Sequence, residues 1–176
     1  MSYFEWFGLP VGFLLDEEAL RRLFYRKSKA LHPDFHTFAD EIAREEALAQ
    51  SSFNNEAYRV LSDPDRRIYY ILGLYGVLAD EGKNQLPGDF LMQMMEINEA
   101  LMELEFDFDA DALEQIQKAT KQTENALYQE IIPILQAFDP ISPRQDDLEK
   151  IKDYYFKKRY LLRIQENLSK FADRQQ

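Results

Sequence analysis

The two histidines of this 176-residue chain, His32 and His36, stand four apart around the tripeptide His32-Pro33-Asp34. A nucleophile–histidine–acid triad needs a histidine free to act as base, and here both fall in one loop. Paired carboxylates are plentiful, but on an acidic surface helix they have no desolvated cleft to drive their pKa values apart. There is no glycine-rich phosphate loop. His32, Asp34 and His36 could offer imidazole and carboxylate to a metal. A helical histidine pair on one face needs unbroken helix between its members, however, and Pro33 prevents that. No third histidine and no cysteine completes a ligand set. The sequence therefore predicts no catalytic residue, no metal ligand and no cofactor. Recognition remains. Pro33 lacks an N–H and restrains the residue before it, so a helix should stop at about His32 and throw Asp34 into a loop. A short polar loop tip beside a charged helix suits contact with another protein.

The helix that positions this loop is expected from Asp16 to Leu31, with Arg21, Arg22, Arg26, Lys27 and Lys29 crowding its second half. Asp16 is a suitable N-cap, and Glu17 and Glu18 sit well at the positive helix end. Leu20, Leu23, Phe24 and Leu31 should face inward. Lys27 interrupts that stripe, its stem expected to pack while its ammonium reaches water. A short helix over Tyr3 to Phe7 should end at Gly8, with Pro10 beyond. A third, from about Asp40 to Leu61, would present Ala47, Leu48, Ser51, Ala57, Tyr58 and Leu61 to the basic helix. Pro64 suits the first turn of a fourth, capped by Ser62 or Asp63, which carries Ile68, Ile71, Leu72 and Tyr75.

Gly73, Gly76, Gly82 and Gly88, with Pro87, mark a boundary. The division predicted is residues 1–75, a linker over 76–87, and a three-helix bundle over 88–176. The bundle helices are expected from Asp89 to Glu105, Asp109 to Phe138 and Gln145 to Ala172, with Pro133 kinking or breaking the second. With no alternating strand pattern, the fold class is all-α. On the first bundle helix, Phe90, Met94, Ile97, Leu101 and Leu104 keep a four–three spacing and should form the core. Leu91, Met92, Met95 and Met102 fall on a neighbouring face, interleaved with Glu96, Glu99 and Glu103. One stripe satisfies a bundle, so a second ringed by carboxylates predicts a protein-binding surface; the alternative is a wide apolar arc that is simply buried. On the last helix Ile151, Tyr154, Leu161, Ile164, Leu168 and Phe171 should be core, with Phe156 and Tyr160 beside it.

Composition narrows the partners. Apolar residues make up 45% and aromatics 14%, enough for packed cores. The absence of cysteine excludes disulfides, thiolate zinc sites and cysteine-held iron–sulfur clusters. Net charge is −11, and between Asp89 and Gln117 there are nine acids and no lysine or arginine. Such a field disfavours nucleic acid and anionic membrane, and favours a partner with a basic patch. No apolar run approaches the roughly 20 residues that span a membrane. The first residues lack signal- or transit-peptide character. A soluble, cytoplasmic protein is expected.

One further segment completes a pattern. Asn55-Glu56-Ala57-Tyr58-Arg59-Val60-Leu61 leads into Ser62-Asp63-Pro64-Asp65-Arg66-Arg67, with Tyr69 and Tyr70 following. Together with His32-Pro33-Asp34 and the cationic helix, it resembles a J-domain, the module that stimulates ATP hydrolysis by seventy-kilodalton heat-shock-class chaperones. The opening Tyr3-Phe4-Glu5-Trp6-Phe7-Gly8-Leu9-Pro10, and Phe90-Leu91-Met92 through Glu103, are similar to the HscB family of J-protein co-chaperones in iron–sulfur cluster assembly. The resemblance implies an antiparallel helical hairpin with flanking short helices, followed by a C-terminal three-helix bundle. It implies chaperone contact through His32, Pro33, Asp34, Arg21, Arg22, Arg26 and Lys29; Lys27 is set aside because it lies on the inward stripe. It implies scaffold-protein contact through Leu91, Met92, Met95, Glu96, Glu99, Glu103 and Tyr160, the last at a position where the family commonly has phenylalanine. A chain without cysteines would act on a partner that carries the cluster. The alternatives are a general J-protein for unfolded clients, against which no glycine-rich region or cysteine-rich zinc repeat follows the J-like segment, and a J-fold structural adaptor without chaperone stimulation.

Overall fold

Seven helices and no strand make up the described residues of this computed structural model, which are 1–32, 41–78 and 86–173. The fold is all-α. The chain forms two compact units, Met1–Tyr75 with Phe138–Pro143, and Gly76–Ala137 with Arg144–Gln176.

In the first unit, α1 (Tyr3–Phe7) opens with a capping box between Ser2 and Glu5 and closes on Gly8 at φ 66°, a left-handed turn that glycine adopts without strain. Helix α2 (Glu17–Ala30) starts from Asp16, whose carboxylate accepts the Ala19 N–H at 2.9 Å. It ends with Leu31 as its C-cap, a residue earlier than Pro33 alone would require. Helix α3 (Glu41–Leu61) runs antiparallel to it. Phe24 stacks on Tyr58 at 4.2 Å between ring centroids. One turn later on α2, Ser28 meets Asn54, one turn earlier on α3. Asp63 caps α4 (Pro64–Leu74) by accepting the N–H groups of Asp65 and Arg66.

Phe4, Phe7, Leu20, Leu61, Ile71 and Leu72 are buried at the centre. Leu48 is not with them. The inward line of α3 is Ala47, Asn54, Ala57 and Leu61, and Leu48, about 100° further round the helix, is exposed. Two polar residues are buried instead. Asn54 lies between α1, α2 and α3. Arg67 donates from Nε to the Phe13 carbonyl (3.0 Å) and from Nη1 to the Leu61 carbonyl (2.5 Å), fixing the α1–α2 connection on the start of α4.

Residues Phe138–Pro143, which the sequence division counts with the bundle, pack in the first unit. The Phe138 ring meets Phe13 edge-on at 4.7 Å and Tyr75 at 5.7 Å, and the Tyr75 hydroxyl donates to the Pro140 carbonyl at 3.0 Å. Burial, with the Asp139 charge second, raises the Tyr75 pKa above its ordinary value.

The second unit is built from α5 (Gly88–Phe106), α6 (Ala110–Gln136) and α7 (Gln145–Asp173). Phe90, Met94, Leu101 and Leu104 of α5 pack with Leu113 and Ile116 of α6 and with Leu161, Ile164, Leu168 and Phe171 of α7. Ile97 is only partly buried, and Leu86, at the end of the expected linker, also packs on this core. Pro133 does not break α6. It lies in the last turn, where its own carbonyl still accepts the Ala137 N–H at 3.0 Å.

Candidate protein-binding surfaces

Helix α2 turns one face inward and the other to solvent. At about 100° per residue, Arg21, Arg22, Arg26 and Lys29 share an arc of about 140°, and all four are exposed. Arg22 is 3.6 Å from Glu18 one turn before it. Both side chains are solvated, so this pair contributes little and leaves the guanidinium available. Lys27 lies off that arc, among the inward residues. Its ammonium sits over the Trp6 ring, 4.2 Å from the centroid, rather than reaching past the core into water. A cation on an indole face is favourable, which explains how a lysine occupies an inward position. Asn54 supports the arrangement, accepting from Trp6 Nε1 (2.9 Å) and donating to Ser28 Oγ (2.9 Å) and the Phe24 carbonyl (3.5 Å). The last two turns of α2 are thereby held to α1 and α3 while the cations face out.

His32 follows directly, exposed, with its N–H on the Lys29 carbonyl at 3.3 Å. Pro33 and Asp34, like His36, lie outside the described residues. Among the described residues, no three His, Asp or Glu side chains gather as a metal site, and no helix is long and apolar enough to cross a membrane.

The second surface is the outer face of α5. Leu91, Met92 and Met95 are 41%, 71% and 58% exposed, with Glu96, Glu99 and Glu103 exposed among them. The apolar arc of α5 is thus not simply a wide buried stripe. Tyr160 of α7 stands differently. It is half-buried, packs edge-on against Phe90 at 5.9 Å, accepts a 2.8 Å hydrogen bond from the Asn98 amide, and has the Arg163 guanidinium 5.5 Å from its ring. Tyr160 therefore joins the bundle core to the outer face instead of lying beside the core. Asn98 is a neighbour that apolar periodicity could not reveal; the only sequence signal was the hydroxyl on Tyr160, which needs a partner when partly buried.

Residues 86–169 match the family described as the HSCB C-terminal oligomerisation domain. The co-chaperone protein HscB homolog of Ralstonia nicotianae is 34% identical over 135 residues, covering 76% of this chain and 77% of the relative. The iron-sulfur cluster co-chaperone protein HscB of Homo sapiens is 29% identical over 170 residues, 95% of this chain and 67% of that one. Among solved structures, chaperone HscB from Vibrio cholerae superposes with a TM-score of 0.74 at 27% identity, over the whole of both chains. Human co-chaperone protein HscB gives 0.75 at 25% identity, over 96% of this chain and 81% of the other. An all-α J-type architecture with a helical bundle is the class these likenesses define. The chain belongs to the HscB family of co-chaperones.

Proposed function

We propose that this protein stimulates ATP hydrolysis by a seventy-kilodalton heat-shock-class chaperone in the cytoplasm, and delivers to it an iron–sulfur cluster scaffold protein carried on the outer face of α5. The observation that carries the reading is the outward arc of Arg21, Arg22, Arg26 and Lys29 leading straight to His32, in a chain whose net charge is −11. A cationic patch on an acidic protein suits an acidic surface on the chaperone. The hydrolytic chemistry belongs to the chaperone. Contact through His32, Pro33 and Asp34 shifts it toward the hydrolysis-competent state only by binding that state more tightly. The human relative's name supports the iron–sulfur role. The lack of cysteine in this chain fits a cluster held by the thiols of the scaffold. Leu91, Met92 and Met95 supply apolar contact, Glu96, Glu99 and Glu103 a negative rim, and Tyr160 an edge. Carrying client and chaperone contacts on one chain raises the client's effective concentration at the chaperone, to about the millimolar range for a suitable linker.

The test is chaperone ATPase turnover with wild type, His32→Gln and Asp34→Asn, together with a titration of the scaffold protein. Either substitution should abolish stimulation while leaving helix content intact and the unfolding free energy from urea titration within about 0.5 kcal/mol of wild type. Full stimulation by either variant refutes the chaperone half. A scaffold protein that does not bind refutes the delivery half and favours a general J-protein.

A further inference from the structure

The exposed apolar face of α5 does not stop where the contacts proposed above stop. Met102 is 60% and Phe106 89% exposed. At 100° per residue, Leu91, Met95, Met102 and Phe106 fall within about 60° of one another, centred about 125° round the helix from the core line of Phe90, Met94, Leu101 and Leu104. The line is about 22 Å long; between Met95 and Met102 it is broken by exposed Glu99 and by Asn98, whose amide is held by the Tyr160 hydroxyl. At its far end a groove of about 420 Å³ opens between the C-terminal turns of α5 and α7, with Met102 on its lip. Leu101 and Phe171 give it an apolar part, and Asn98, Glu105, Asn167 and Lys170 line the rest.

We infer that α5 docks its partner along its whole length, with Met102, Phe106 and this groove forming a second anchoring point for a cationic amphipathic segment of the scaffold protein. The inference rests on the scaffold-delivery reading above. Charge identifies the occupant. Glu96, Glu99 and Glu103 flank the apolar line on one side, while the α7 side carries Glu105 together with the cations Arg163 and Lys170; no lysine or arginine occurs from Asp89 to Gln117. A segment that covers the line must bring cations to the margin of Glu96, Glu99 and Glu103 and apolar side chains to the centre, the pattern of a basic amphipathic helix seated on an apolar face. A second copy of α5 would set acid against acid, a costly juxtaposition. The apolar part of the groove, Leu101 and Phe171, takes an apolar side chain of that segment. Methionines along the line adapt their shape to it at little strain.

The test titrates the full-length protein with the same organism's purified iron–sulfur scaffold protein at two salt concentrations. Met102→Ala combined with Phe106→Ala should raise Kd about fivefold or more, equivalent to about 1 kcal/mol, and Glu105→Lys should weaken binding most at low salt. Leu91→Ala is the comparison. If Leu91→Ala weakens binding and the double variant does not, docking ends at Glu103 and the inference is overturned while scaffold delivery stands. If Leu91→Ala is also without effect, scaffold delivery through this face fails, and the inference with it. Phe106→Ala alone decides the matter should the double variant lose helix content. Sedimentation of the free protein closes the remaining route: a homodimer that dissociates in the double variant assigns the face to a second copy and overturns the partner proposed.

Discussion

Trp6 Nε1 donates a 2.9 Å hydrogen bond to Asn54 Oδ1, joining residues 48 positions apart. The Asn54 amide spends its donors on Ser28 Oγ and the Phe24 carbonyl, so one buried side chain ties α1, α2 and α3 together. Asn54→Leu keeps the branched outline of the side chain but leaves the indole N–H and the Ser28 hydroxyl without this partner. It should destabilise the protein by about 1–3 kcal/mol. Trp6 is the single tryptophan, so urea unfolding followed by its fluorescence reports the loss directly, and an unchanged midpoint would show the network to be dispensable.

Arg67 donates to two backbone carbonyls in its buried site, and the Glu17 and Asp63 charges act against the effect of burial on it. Burial lowers its pKa, yet a guanidinium stays charged at every pH at which the protein folds. Arg67→Leu should cost about 1–3 kcal/mol by orphaning the Phe13 and Leu61 carbonyls, with a loss that is flat across the neutral pH range. Thermal unfolding at several pH values checks both statements.

Reversing Arg22 and Arg26 to glutamate should slow association with the chaperone about tenfold or more at low salt. Wild-type association should itself fall as salt rises, because exposed charges are screened over about 8–10 Å at moderate ionic strength. Stopped-flow rates at two ionic strengths test this. Rates indifferent to salt and to the double variant would remove the α2 face from the mechanism.

Much of the architecture can be read from end signals. Gly8, Asp16 and Asp63 with Pro64 each stop or start a helix where local chemistry requires it, and the two faces of α5 separate by periodicity alone. What escapes such reading is long-range and polar. Counting apolar residues overlooks Asn54 and Arg67, whose burial is intelligible only once their distant partners are in place. The same counting puts Leu48 inside, where a small shift of helical phase leaves it in water, and leaves Lys27 with no reason to face Trp6. On the α5 surface, the residues were legible because exposed apolar side chains violate the pattern of a simple bundle; the tie between Asn98 and Tyr160 was not.

Tyr160 separates two roles that a single truncation would confuse. Because its ring packs on Phe90, Tyr160→Ala should destabilise the bundle by about 2 kcal/mol, less than the loss of a fully buried aromatic. Tyr160→Phe removes only the hydrogen bond from Asn98, about 0.5–1.5 kcal/mol, and is the variant in which scaffold affinity should be measured. Leu101→Ala, a buried core change, should cost about 2–5 kcal/mol and serves as the stability control.

Acid should loosen the α6–α7 pairing through Glu124. Its carboxylate accepts from Lys121 Nζ at 2.9 Å and from Gln165 Nε2 of α7 at 3.2 Å, and the Lys121 hydrogen bond is the main reason its pKa lies below the ordinary 4.5. A group whose pKa is lower in the folded state adds stability above its unfolded pKa. That contribution is lost as pH falls through the lower folded value. Urea midpoints measured from pH 6 downward should therefore drop less steeply in Glu124→Gln than in wild type; parallel curves would exclude this carboxylate from the acid response.

The six residues Phe138–Pro143 make the N-terminal module discontinuous in the gene. A fragment ending at Tyr75 would leave behind the ring that covers Phe13 and the carbonyl that receives the Tyr75 hydroxyl. It would expose apolar surface that the full-length chain conceals. Neither a single recombination event nor a single proteolytic cut can therefore transfer this module whole. To carry every contact of this unit, a transferred fragment would need the turn between α6 and α7 as well as residues 1–75.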